Sequence, residues 1–181
     1  GAWLKLQDKD PFDYAKVERK IPASKELKVS FDLLAEQNDK GRLQIDFLDG
    51  NSIACSRLEL TPDGIFRMKG GSRFANMMNY EAGKTYHVEA VLSTADRNIQ
   101  VYVDGKRVGL RMFYAPVATI ERIVFRTGEM RTFPTVDTPA DQTYDLPDAG
   151  GQEPLAEYRI ANVKTSSTDK DASSAFLKYA D

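Results

Sequence analysis

Residues 101–109, VYVDGKRVG, restrict the folds open to this chain more than any other stretch of it. Asp104-Gly105 is a favoured two-residue loop for a type I′ turn, whose two central residues both need φ > 0. With that pair at the corner, Val103 faces Lys106, Tyr102 faces Arg107, Val101 faces Val108 and Ile99 faces Leu110. Apolar side chains then share one face and polar ones the other, and a slip of one residue would scatter them. The Asp-Gly-Lys-Arg run therefore reads as the corner of an antiparallel hairpin, with Lys106 and Arg107 in water, and not as a charged catalytic centre.

The same period of two runs through the chain. Leu27, Val29, Phe31 and Leu33 alternate with Lys28, Ser30 and Asp32. Leu43, Ile45 and Phe47 alternate with Gln44 and Asp46, and a loop at 49–51 would pair Phe47 with Ile53 and Ile45 with Cys55. Beyond Cys55 the phase slips, since Leu58 and Leu60 fall out of step, so a bulge is expected near Ser56-Arg57. Thr61-Pro62-Asp63-Gly64 is a turn with Pro early and Gly late, followed by a short strand at 65–68. Further strands are expected at 13–21, 86–92, 99–103, 119–128 and 156–166. About ten short strands at close spacing, with no long amphipathic helix, predict an all-β antiparallel sandwich of two sheets.

The 181 residues suit one domain over 1–166, with 167–181 as a tail or linker leading to a further domain. A net charge of −2 gives no general pull toward nucleic acid or anionic membrane. No run of about 18 apolar residues is present, hence no transmembrane segment is expected. No signal peptide is visible, and Gly1 reads as a cloning remnant, so the expectation is a leader already removed. The one cysteine, Cys55, excludes an internal disulfide and a Cys-based zinc site, and its apolar setting predicts a buried thiol. Residues 129–155 form a long segment rich in Pro, Asp, Thr and Gly, a length that in a compact domain points to function or disorder.

GKTYHVEAVLSTADRNIQVYVDGKRVG, residues 83–109, resembles the most recognisable stretch of laminin-G-like domains and related concanavalin A-like lectin/glucanase domains. The shared parts are the aromatic at Tyr86, the short turn at 93–98, the Tyr102-Val103-Asp104-Gly105 corner and the small residue Gly109. YRIANVKTS, residues 158–166, is similar to their closing strand, and YAKVERKI, residues 14–21, fits their opening. The resemblance touches about half the chain and implies a jelly-roll sandwich of the concanavalin A-like type. It further implies an extracellular or periplasmic setting, beside a catalytic domain that degrades polysaccharides.

Glucanases of that superfamily place Glu-x-Asp-x-(x)-Glu carboxylates on one strand face, as an acid and a nucleophile require. That pattern is absent here, as are nucleophile and phosphate-loop motifs. His87, the only histidine, lies opposite Tyr86 and Val88 and reads as a packed or surface residue. KGGSRFANMMNY, residues 69–80, mixes glycines, planar polar groups and an aromatic ring, a composition suited to sugars; otherwise Phe74, Met77 and Met78 simply plug one end of the core. Arginines gather at 67, 73, 111, 126 and 131, and a guanidinium fork suits a carboxylate. The expected ligand groove is Arg73, Asn76 and Tyr80 with Arg126 or Arg131, bordered by Tyr144. Asp137, Asp141, Asp145 and Asp148 are a candidate Ca²⁺ set without EF-hand spacing, and no other cofactor is expected. The function expected is a non-catalytic module that binds an oligo- or polysaccharide, an acidic one among the candidates, or positions a neighbouring catalytic domain. The alternatives are a glycan-active hydrolase or lyase with an atypical site, and a purely structural interdomain module.

Overall fold

The structure, a computed structural model, describes residues 2–9, 14–128 and 154–167. Their chain order is β1 (Leu4–Asp8), β2 (Lys16–Ser24), β3 (Glu26–Ala35), β4 (Leu43–Leu48), β5 (Ala54–Leu60) and β6 (Ile65–Gly70), then β7 (Arg73–Asn79), β8 (Thr85–Ser93), β9 (Asn98–Val103), β10 (Lys106–Met112), β11 (Ile120–Thr127) and β12 (Ala156–Ser167). Sheet A has the order β1-β12-β3-β8-β9-β10, and sheet B the order β2-β11-β4-β5-β6-β7. Every pairing is antiparallel, and the chain passes repeatedly from one sheet to the other, which makes the expected jelly-roll sandwich. Strands β1 and β7 go beyond the expected set.

The core lies between the sheets. On β3 the alternation buries Leu27, Val29, Phe31, Leu33 and Ala35. Phe31 of sheet A meets Phe125 of sheet B edge-on, with ring centroids 5.2 Å apart. Aromatic residues of this kind carry large apolar area, and truncating one to alanine costs about 3–5 kcal/mol.

The hairpin corner forms as the sequence predicts. Asp104 (φ 50) and Gly105 (φ 83) are both left-handed, and Val103 pairs with Lys106 and Tyr102 with Arg107. Beyond that the register differs from expectation: Val101 pairs with Gly109, not Val108, and Ile99 with Arg111, not Leu110. Val108 is the extra residue of a bulge. The bulge puts Gly109 where a side chain has no room, since a Cβ there would stand 2.6 Å from Met77 Sδ. Sheet A's edge strand β10 thereby closes against β6 and β7 of sheet B.

The β4–β5 connection is also longer than the sequence suggests. Phe47 pairs with Ser56 and Ile45 with Leu58, with Cys55 as the bulged residue, so neither expected pair forms. Asp49 explains the longer loop. Its Oδ1 accepts from the backbone N–H groups of Asn51 and Ile53, both at 2.9 Å, and stabilises a wider turn. The phase slip foreseen near Ser56-Arg57 is real and lies one position earlier.

Candidate functional site

Direct cross-strand pairing aligns the outward positions of sheet B into two rows. The first runs Lys16, Arg126, Gln44, Glu59, Arg67, Asn76 from β2 to β7. The second runs Glu18, Val124, Asp46, Arg57, Lys69, Phe74. Strands β4 and β5 are buried on both faces, so the middle of each row is dry: Arg57 is 0% exposed and Glu59 1%.

Within the second row Arg57 forks Asp46, with Nε 2.6 Å from Oδ1 and Nη2 2.8 Å from Oδ2. Such bidentate pairs are strong and directional. Tyr114, from the β10–β11 connection, packs against Leu48, Ala54 and Val124 beside this pair. Burial, with the Asp46 carboxylate adding to it, holds the Tyr114 hydroxyl well above the usual tyrosine range. The Lys69 ammonium lies 5.4 Å from the Tyr114 ring and 5.7 Å from the Phe74 ring. Burial first, and the Arg57 charge second, pull Lys69 below the ordinary lysine value.

The first row is organised by Glu59. Arg67 Nη2 donates to Glu59 Oε1 at 3.1 Å, and Arg42 Nη1, from the loop before β4, pairs with the same oxygen. The Arg67 guanidinium also lies 4.1 Å from the Phe74 ring centroid. At the other end of the row the Arg126 guanidinium sits 4.0 Å from the Tyr14 ring, and burial lowers its affinity for the proton. The two ends of the row reach water, Asn76 at one and Lys16 at the other.

The expected groove is only partly assembled. Asn76 and Arg126 share the outer face but lie four strands apart, about 19 Å at ordinary strand spacing. Arg73 stands three residues from Asn76, so alternation turns it to the opposite face. There its paired residue Gly70 is packed by Arg111, whose Cβ is 2.8 Å from where a Gly70 Cβ would be. Tyr80 is 3% exposed inside the core, and its hydroxyl donates to the Thr61 carbonyl; burial pushes it up to about 12. A core tyrosine with its hydroxyl so engaged does not line a groove, and that part of the expectation is corrected. Arg131, Tyr144 and the aspartates at 137, 141, 145 and 148 lie outside the described residues. Among the described residues no group of three or more His, Cys, Asp or Glu side chains could hold a metal ion.

Two further expectations concern single residues. Cys55 is a buried free thiol, pushed up strongly by desolvation. His87 is a surface residue on sheet A, its Nδ1 2.8 Å from Asp32 Oδ1.

Sequence reasoning missed Asp46, Arg57, Glu59, Lys69, Phe74 and Arg42 as one constellation. The signal was present in the alternation of β5 and β6, which sets Arg57, Glu59, Arg67 and Lys69 on the non-core phase. The β4–β5 register was needed to join them.

A two-sheet antiparallel jelly roll of this kind is a lectin-like sandwich fold. The family of sialidase-like, CBM (carbohydrate-binding-module) domains matches residues 1–142. The chain belongs to that family and is a carbohydrate-binding accessory module of this type. It is similar to a solved structure of a sialidase, at 98% identity over 94% of the chain and with a TM-score of 0.83, and it spans 16% of that protein. Sheep galectin-11, solved with glycerol, shares the fold at 14% identity and a TM-score of 0.54, covering 83% of this chain and 96% of its own. A botulinum neurotoxin type C structure, concerned with cell entry dependent on two ganglioside molecules, shares it at 16% identity and 0.57 over 97% of this chain and 42% of its own. No curated protein matches the chain. No helix among the described residues is long and apolar enough to cross a membrane.

Proposed function

We propose that this domain binds an acidic oligosaccharide at the β6–β7 end of sheet B's outer face, as the glycan-recognising accessory module of a secreted sialidase-like protein. The observation that carries the proposal is Arg67. Its guanidinium is stacked on Phe74 and tied to Glu59, with 27% of the side chain exposed beside the exposed Asn76. A guanidinium held in plane offers a fork to a carboxylate, and a neighbouring amide offers a donor and an acceptor to sugar hydroxyls.

The domain over 1–166 fits the concanavalin A-like group, and its 83–109 stretch the laminin-G-like pattern within it. The family and the longer sialidase that the chain matches support an extracellular or periplasmic setting and a catalytic domain in the same chain. Sialylated or uronate-containing glycans are the ligands that suit the charge. A shallow, exposed site of this size supports a Kd of about 0.1–1 mM. Salt weakens such binding, because exposed charge pairs are screened.

Calorimetry with sialylated, uronate-containing and neutral oligosaccharides, repeated with a chelator present, tests the proposal. Acidic glycans bind and neutral ones bind more weakly or not at all. Loss of binding with chelator shows a metal requirement, for which the aspartates at 137, 141, 145 and 148 are the candidates to substitute next. Binding to none of the three leaves a structural interdomain module, a reading favoured by the dry centre of both rows.

A further inference from the structure

We propose that Glu59 is the positioning residue of this site, orienting Arg42 and Arg67 together so that the site prefers a carboxylated sugar over a neutral one. The inference rests on the acidic-glycan site at Arg67 set out above, and it adds what makes that site selective.

Two guanidiniums brought side by side repel each other. They stay together here because one carboxylate oxygen, Glu59 Oε1, meets both Arg42 Nη1 and Arg67 Nη2. Glu59 has 1% of its side chain exposed, whereas Arg42 and Arg67 have 20% and 27%. The carboxylate is thus buried, while both arginine side chains are partly exposed. Glu59 stands on the central strand β5, between Gln44 and Arg67 in the row, and has little freedom to turn.

Phe74 and Glu59 impose different restraints on Arg67. The ring, 4.1 Å away, restrains the guanidinium from one side, and the carboxylate anchors its Nη2. A fork held in both ways is preorganised, so less rotamer freedom is lost when a ligand binds. A ligand carboxylate can accept two parallel N–H bonds from a guanidinium fork held in place, whereas a neutral sugar hydroxyl cannot, so a fixed fork favours the acidic ligand.

The test compares the acidic-to-neutral affinity ratio in the wild type, Glu59→Gln and Glu59→Asp, by calorimetry with a uronate-containing and a neutral oligosaccharide. Glu59→Gln keeps the shape and removes the charge that holds the arginines. We expect its affinity for the acidic glycan to fall about tenfold or more, with a smaller change for the neutral one, so that the ratio drops. Glu59→Asp keeps the charge and recovers part of the ratio. An equal weakening of both ligands marks a merely structural residue and overturns the inference. So does a Glu59→Gln protein that binds the acidic glycan as tightly as the wild type, or more tightly.

If Glu59→Gln does not fold, Arg67→Lys decides, since it keeps the charge and loses the fork. A drop in the ratio supports the inference, and an unchanged ratio overturns it. A wild-type protein that binds no acidic glycan refutes the proposed function itself, and that outcome is read before any variant is made.

Discussion

On the outer face of sheet A, Lys28 lies 3.3 Å from Glu89 with 50% of its side chain exposed; on the outer face of sheet B, Arg57 lies 2.6 Å from Asp46 with none. Both pairs come from the same alternation of core and non-core positions. Sheet A's charges, including Arg159 with Glu157 and Glu36, stand in water and partly screen one another. Sheet B's charges are packed among Tyr114, Phe74 and each other. An exposed pair is worth little, whereas a buried one is costly to leave half-made. The outer face of sheet B therefore presents polar groups already fixed in place, and that of sheet A does not.

The largest effect separates those two pairs. Arg57→Met should destabilise by about 3–5 kcal/mol, because it leaves the Asp46 carboxylate buried without its fork. The double variant Asp46→Leu with Arg57→Met should regain much of that loss, since both charges are then gone. Lys28→Ala and Glu89→Ala should each stay below about 1 kcal/mol. Urea unfolding of the four proteins measures this, and an Arg57→Met loss no larger than that of Lys28→Ala would erase the distinction between the faces.

Next in size is a binding effect that should appear on one face alone. Arg67→Ala should weaken acidic-glycan binding about tenfold, equivalent to about 1.4 kcal/mol. Arg107→Ala, outward on sheet A opposite Tyr102, should leave it unchanged, as should Arg73→Ala on the other side of β7. Weakening by Arg73→Ala but not by Arg67→Ala, in calorimetric titrations, would move the site to the Gly70–Arg111 rim.

These predictions depend on register, and register is where the sequence was hardest to read. The period of two identified the sandwich, the hairpin corner and most strands, because alternation is local and repeats. Asn76 and Arg126, expected in one groove, share an outer row but stand four strands apart in it. Arg73 was grouped with Asn76 because β7 was not among the expected strands, and only on a strand does an odd spacing put residues on opposite faces. Tyr80 looked like a ligand ring because its position past β7 hides that the chain turns inward there. The ladder through Asp46, Arg57 and Glu59 depended on the Asp49 loop, whose side-chain caps widen the turn, and on the Cys55 bulge. Neither device leaves a periodic trace.

A smaller effect tests the corner that sheet A contributes. Gly105→Val should cost about 1 kcal/mol or more, because a β-branched residue resists the φ of 83 found there. The loss should show in the thermal midpoint while acidic-glycan affinity at low temperature is kept, since the turn lies on sheet A and the proposed site on sheet B. A fall in affinity as large as that of Arg67→Ala would mean that the two faces are coupled.

The smallest effect is a pH dependence on sheet A. Asp32 Oδ2 accepts from Asn162 Nδ2 at 2.7 Å, and Oδ1 lies 2.8 Å from His87 Nδ1. These bonds, Asn162's first, hold the Asp32 carboxyl below its ordinary 3.8, with the charges of His87 and Lys164 contributing less. The folded state thus binds this proton more weakly than the unfolded chain does. Its stabilisation is complete above the unfolded value and is lost as pH falls through the folded one. With Asp32 partly hydrated, 22% of its side chain exposed, the contribution should stay below about 1 kcal/mol. Asp32→Ala should accordingly lower the unfolding midpoint slightly near neutrality, and the gap to wild type should narrow as acid protonates Asp32. A gap that stays constant down to the lowest pH at which both proteins remain folded would show that the Asn162 and His87 bonds do not favour the charged carboxylate. Asp32 would then contribute almost nothing electrostatic to the fold.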